Sequence, residues 1–247
     1  MPENQQVKEN IAAVRARIRE LCAECGRKDL PTLLAATKTV PVEQINFAVR
    51  ECGITDIGEN RVQELLEKYP ALDKSVRLHF IGRLQTNKVK YIIDKVCLIH
   101  SVDRLPLVAE IEKQAAKRGI VTDVLLEVNT GREEQKGGFF PEELDAVLPQ
   151  LAAFPHVRVR GLMAVAPVCE KKEDICRYFE ETYQKFVDIS GKKLHNIDMS
   201  ILSMGMSDSY GEAILAGSTL VRIGSAIFGR RPADPEGTQK EKEKQIQ

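Results

Sequence analysis

The sequence has no excess of charge of either sign: 36 basic side chains balance 36 acidic ones over 247 residues. Nothing in that balance selects nucleic acid or an anionic membrane as the main partner. Also missing is any run near the ~20 apolar residues of a membrane span. The first residues, MPENQQVKENIAAVRARIREL, are polar and helical in pattern and have no apolar signal-peptide core. The cytosol is therefore the expected compartment. The six cysteines form neither a disulfide framework nor a zinc pattern. Cys22 and Cys25 make a C-x-x-C, but at the end of a helical pattern, with no second pair and no histidine pair nearby. All six read as helix-surface or core thiols. His79, His100, His156 and His195 lack metal-ligand spacing, so core or surface roles are expected and no metal. No G-x-G-x-x-G follows the first strand, which argues against an open dinucleotide-binding sheet.

What the sequence does have is a strand–helix alternation that does not stop. After an N-terminal helix, roughly Gln5 to Cys25, the expected strands are TLLAAT (32–37), DIGE (56–59), LHFIG (78–82) and CLIHSV (97–102). DVLLEV (123–128), VRVRGLMA (157–164), DMSILSM (198–204) and LVRIG (220–224) continue the series. Helical patterns such as PVEQINFAVREC and NRVQELLEKY lie between them. Such alternation implies parallel pairing, and eight units in this length suit a single-domain (β/α)8 TIM barrel with an extra N-terminal helix. An open doubly wound sheet is the alternative. The barrel is expected over 1–231, followed by a flexible charged tail, 232–247, whose Pro, Gly and alternating charges offer no apolar face.

In a barrel, chemistry sits at the C-terminal strand ends and in the loops that follow. Lys38 ends the apolar run of the first strand, just before Pro41. An amine so placed can act as a nucleophile and form a Schiff base; the plain alternative is a lysine that reaches solvent. After the last two strands come SMGMSDS and RIGSAIFG. Ser207, Gly224 and Ser225 there offer hydroxyl and backbone N–H donors for a phosphate, with tight turns as the competing reading. Arg222 lies within the eighth strand, salt-bridged or aimed at a ligand. If a Schiff-base lysine and a phosphate site share one mouth, the natural ligand is pyridoxal phosphate. An arginine beside its pyridine nitrogen would keep that nitrogen unprotonated and weaken the ring as an electron sink. Lys136, in VNTGREEQKGG, reads as a solvated charge.

Together LLAATKTVP, IGENRVQE, HFIGRLQTNKVKYI, VNTGREEQKGGF, GLMAVAP, LSMGMSDS and AGSTLVRIGSAIFG resemble the pyridoxal phosphate homeostasis protein family, related to the barrel of alanine racemase. The resemblance covers nearly the whole chain. It implies that Lys38 holds the cofactor covalently, that Ser207, Gly224 and Ser225 hold its phosphate, and that Asn60 contacts the ring side. It also implies that Arg222 stands near the pyridine nitrogen. Two departures are visible: Lys136-Gly137-Gly138-Phe139 where relatives commonly read K-S-G-F, and Tyr210 where they often have an apolar residue.

Three functions use the same lysine and phosphate loops. The first is a non-catalytic carrier that buffers and delivers pyridoxal phosphate, with apo-enzymes that use the cofactor as possible recipients. The second is an amino-acid racemase-like enzyme. It would need a second base, which alanine racemase takes from a separate domain; Tyr210 is the tyrosine expected at the mouth. The third is a class I aldolase, with Glu59 or Glu127 as acid–base partner. The carrier is favoured, as a monomer, with no catalytic residues assigned.

Overall fold

The computed structural model describes residues 2–229 apart from 168, 170 and 193. The expected tail, 232–247, lies outside the described residues. Eight parallel strands close into one barrel in sequence order, the last pairing with the first. They are β1 (Thr32–Ala36), β2 (Asp56–Glu59), β3 (Arg77–Phe80), β4 (Leu98–Val102), β5 (Thr122–Val128), β6 (Val157–Ala164), β7 (Ile197–Ser203) and β8 (Leu220–Ile223). Among the described residues, no helix is long and apolar enough to cross a membrane.

Helices follow the strands: α2 (Val42–Cys52), α3 (Val62–Lys68), α4 (Val89–Ile92), α5 (Leu105–Arg118), α6 (Leu144–Leu151), α7 (Lys172–Ser190), α8 (Tyr210–Leu215) and α9 (Ser225–Phe228). The one after β8, α9, is a single turn. Its missing length is supplied from the other end of the chain by α1 (Pro2–Glu24), which packs on α2, α8 and α9. Val7, Ile11, Val14, Ile18, Leu21 and Cys22 recur at helical spacing and are all buried, so α1 completes the outer ring through one apolar stripe. The Asn10 amide adds a hydrogen bond to the Ile227 carbonyl at 2.8 Å.

Two packed regions result. The main core lies between strands and helices. A separate cluster of Leu98, Leu125 and Met163, with Ile201 against it, fills the inside of the barrel. Side chains alternate along a strand, so this cluster fixes which face points inward. Two residues further along lie His100, Glu127 and Ser203, which occupy the same face nearer the strand ends. The seam between β7 and β8 has a single register pair, Ser203 opposite Leu220. Side chains reinforce it. The Ser218 hydroxyl lies within hydrogen-bond distance of the Leu202, Met204 and Leu220 carbonyls, and Thr219 Oγ1 accepts from the Leu202 N–H.

Candidate functional site

Lys38 stands two residues beyond β1, in a turn that the chain holds under strain. Thr39, a β-branched residue, has φ of +65°, a conformation that non-glycine residues rarely adopt. A buried network fixes the turn from below. Glu59 Oε1 accepts from Thr37 Oγ1 at 2.6 Å and from Lys68 Nζ at 2.8 Å. Lys68 Nζ also donates to the Thr37 carbonyl and to Glu64 Oε1, both at 2.7 Å, and Glu64 in turn accepts the Thr39 N–H. Burial pushes the Glu59 carboxyl above its ordinary pKa, against the hydrogen bonds from Lys68 and Thr37. Glu59 thus positions the lysine turn through Oε1, while its Oε2 is buried without a hydrogen-bond partner among the described residues. Lys38 itself is half-buried.

The cleft beside Lys38 has a volume of about 540 Å3 and is lined by Ala36, Lys38, Gly224 and Ser225, with Asn10 of α1 and Pro41 among the others. The expected amine and two of the three expected phosphate residues therefore share one cavity. The third, Ser207, joins them through its hydroxyl, which accepts from the Gly224 and Ala226 N–H groups at 3.2 Å each. Asn60 follows β2, whose Gly58 pairs in register with Ala36 of β1. Its backbone is pinned by Gly82, where a Cβ would lie 2.1 Å from the Asn60 carbonyl oxygen. Asn60 does not line the cleft with Lys38.

Arg222 lies inside the barrel, is 4% exposed and does not line the cleft with Lys38. Its Nη1 donates to the Ser203 carbonyl at 2.8 Å and to Ser203 Oγ at 2.6 Å, and its Nη2 donates to the Ala164 carbonyl at 3.0 Å. Ala164 and Ser203 are the last residues of β6 and β7, so the guanidinium lies level with the mouth. Among the described residues, its Nε and its second Nη2 hydrogen have no protein acceptor. Burial lowers its pKa to about 10, with Glu127 acting in the opposite sense. Glu127 is pushed up to about 7 by burial and by Asp103, partly offset by Arg222 and Arg83.

Tyr210 is a correction to the sequence reading. It begins α8 and, half-buried, packs against the main core; it lines a second cleft with Arg17 and Leu21 of α1 and with Ser207, not the cleft that holds Lys38. The direction of α8 sends its first side chain outward to the α1 seam. At Gly137 a Cβ would lie 2.7 Å from Asp103 Oδ2, so a larger residue there requires that carboxylate to shift. Lys136 is exposed and ion-paired with Glu133 at 2.5 Å, as a solvated charge. All six cysteines are free.

Sequence reasoning missed the connection among the interior polar groups. His79 Nε2 lies 2.9 Å from Asp56 Oδ1, His79 Nδ1 lies 2.9 Å from His100 Nε2, and His100 Nδ1 lies 3.0 Å from Ser203 Oγ. The available signal was positional: His79 and His100 lie on neighbouring strands, two residues from the start of each.

The model of the alanine racemase N-terminal domain family matches residues 9–232. The pyridoxal phosphate homeostasis protein of Aquifex aeolicus is 47% identical over 225 residues, covering 90% of this chain and 97% of that protein. A solved structure of an unknown protein from Bifidobacterium adolescentis has 32% identity and a TM-score of 0.88, over 92% of this chain and 96% of its own. PipY of Synechococcus elongatus, solved with pyridoxal phosphate bound, has 28% identity and a TM-score of 0.79, over 90% of this chain and 100% of its own. With a family model spanning most of the chain and a relative near half identical, this chain belongs to the alanine racemase N-terminal domain family and, within it, to the pyridoxal phosphate homeostasis proteins.

Proposed function

We propose that this protein binds pyridoxal phosphate at the barrel mouth and keeps a releasable store of it, buffering the cofactor and handing it to apo-enzymes in the cytosol. In this reading it acts as a monomer without strong catalytic activity. The observation that carries the proposal is the single cleft that holds Lys38, Gly224 and Ser225 together. The donor set suits the ligand. Ser207 and Ser225 supply hydroxyls, and the Gly224 and Ala226 N–H groups make only long bonds to Ser207 Oγ, 3.2 Å each, so a phosphate oxygen could replace that acceptor. Arg222 retains two donors that no described residue accepts. The homology to PipY, solved with this ligand, supports the same assignment.

Bound pyridoxal phosphate supplies an aldehyde for attachment to an amine and an electron-withdrawing ring. The residues here divide the remaining work. The strained Thr39 turn and its Glu59–Lys68–Glu64 support aim Lys38. Arg222, a donor that does not give up its proton, would keep a pyridine nitrogen placed beside it unprotonated, which would restrain turnover.

The experiment is near-visible absorbance of wild type and Lys38→Ala, before and after borohydride reduction. A band in the wild type alone, with reduction fixing the label on Lys38, is the expected outcome. A wild type that stays colourless with added pyridoxal phosphate would refute the proposal. One observation favours a second reading as an enzyme: Glu127, titrating near neutrality at the mouth, is suited to exchange a proton with a bound amino acid. Loss of the α-deuterium from labelled amino acids, abolished by Glu127→Gln, would establish turnover.

A further inference from the structure

The interior polar groups have a proton order that follows from one fixed donor. Arginine only donates, so Arg222 Nη1 gives a hydrogen to Ser203 Oγ. The Ser203 hydroxyl hydrogen then needs an acceptor, because buried polar hydrogens are almost always bonded. His100 Nδ1, at 3.0 Å, is its partner. His100 must therefore carry its own hydrogen on Nε2 and donate it to His79 Nδ1. His79 in turn carries its hydrogen on Nε2 and donates to Asp56. The whole row points one way, from Arg222 at the mouth to Asp56 at the first residue of β2. Asp56 meets the solvent-facing side through Arg77 at 3.2 Å.

We propose that His79, His100 and Ser203 are positioning residues for Arg222, forming a hydrogen-bond relay with two orientations that is reversed by one proton on His79. In the reversal the entering proton is taken up on Ser203 Oγ. The Ser203 hydrogen moves to His100 Nδ1, and the His100 Nε2 hydrogen moves to His79 Nδ1. One proton has been added, His100 stays neutral in the other tautomer, and His79 becomes a cation that donates both to Asp56 and to His100. Ser203 Oγ then accepts from both Arg222 and His100, and its own hydrogen has lost its acceptor. The hold on Arg222 is loosened by a charge that sits next to Asp56.

The surroundings suit two such states. Asp56 on β2 and the Cys97 thiol ahead of β4 face His79, and Arg77 on β3 lies beyond Asp56. Arg222 on β8 and His79 face His100, while Glu127 on β5 faces Arg222. Burial opposes a charge on His79, but its hydrogen bond to Asp56 and the influence of Cys97 outweigh burial and raise its pKa. Burial, reinforced by His79 and Arg222, holds His100 well below the usual imidazole value. The proton therefore goes to His79, and the response of His100 is a change of tautomer.

The inference rests on the proposed cofactor reading only in placing Arg222 beside a ligand, and the test does not need the ligand. Nitrogen NMR of the histidine rings in the cofactor-free protein, followed across pH, reports which ring nitrogen carries hydrogen. The expected result is that His100 exchanges Nε2–H for Nδ1–H over the same pH interval in which His79 gains its second proton. Ser203→Ala, which removes the hydroxyl that selects the first orientation, is expected to move the His79 midpoint to higher pH. A His100 tautomer that stays fixed while His79 titrates would overturn the relay, and so would a His79 midpoint unmoved in Ser203→Ala or a His79 that never titrates. A colourless protein with an intact His100 exchange would instead refute the cofactor reading and leave the relay standing.

Discussion

Thr39 pairs an uncomfortable backbone with a useful neighbour. Its φ of +65° is relieved only by a residue without Cβ, while its N–H is held by Glu64 and its hydroxyl bonds the Lys38 carbonyl at 2.6 Å. Thr39→Gly is therefore expected to raise folding stability by up to about 1 kcal/mol in urea denaturation, because the strain is removed. The same change frees the Lys38 turn, so the near-visible band should form more slowly and at higher pyridoxal phosphate concentration. Opposite signs in the two measurements are the signature of strain kept for aim; a parallel loss of both would show that the turn is merely structural. Glu127 is the other residue with a predictable sign. Its carboxyl titrates near 7 in the fold and near 4.5 when free. Between those values the folded chain binds the extra proton, so raising pH favours unfolding. Glu127→Gln should be more stable than wild type at pH 8 and should lose that advantage toward pH 5, read as the difference in denaturation midpoints.

At the scale of elements, the barrel is least secured by its ladder between β7 and β8, and Ser218 compensates with one hydroxyl close to three carbonyls. A hydroxyl has a single hydrogen, so these contacts share it. Ser218→Ala is expected to cost about 1–3 kcal/mol by taking the donor from the Met204 carbonyl, while the Leu202 and Leu220 carbonyls keep the Thr219 and Met204 N–H groups, measured by urea unfolding at constant m-value. The eight strands were legible in the sequence because each is a short apolar run bounded by turn residues; β2 and β6 match the expected spans, and the others differ at their ends by one or two residues. What was not legible between β3 and β4 is a 3-10 turn, Thr86–Lys88, followed by the four-residue α4, which is too short to show a period. That Lys38, Gly224 and Ser225 line one cleft was legible because a strand end is a place that a sequence can mark. The histidine relay was not, since His100 and Ser203 are 103 positions apart and meet only across the closed barrel. Tyr210 was misjudged for a related reason: strand order places a loop at the mouth, but the direction of the helix that starts there decides where its first side chain points.

For the whole molecule, three buried titratable groups act in one direction. Burial raises the Glu59 and Glu127 carboxyls, and the hydrogen bond to Asp56 overcomes burial to raise His79. All three bind protons more tightly in the fold than in the unfolded chain, so each favours the folded state less as pH rises through its folded pKa. Asp56 works the other way: the hydrogen bonds from His79 and Thr55 overcome burial and lower its pKa, which withdraws support only in strong acid. His100 also works the other way: burial holds its pKa well below the usual imidazole value, so the unfolded chain takes that proton first and stability rises with pH up to about 6.5. The thermal midpoint should therefore fall between about pH 6.5 and 8, and a midpoint that rises over that interval would contradict this balance. The way α1 closes the ring has one more consequence, for biosynthesis. The wall of the cleft joins Asn10 to Ile227 and Phe228, so its first and last pieces are translated more than 200 positions apart. A nascent chain still held by the ribosome exposes Lys38 long before it owns Ser225. The wall cannot close until α9 has been made and has met α1, so a chain that stops short of Ser225 lacks this cleft.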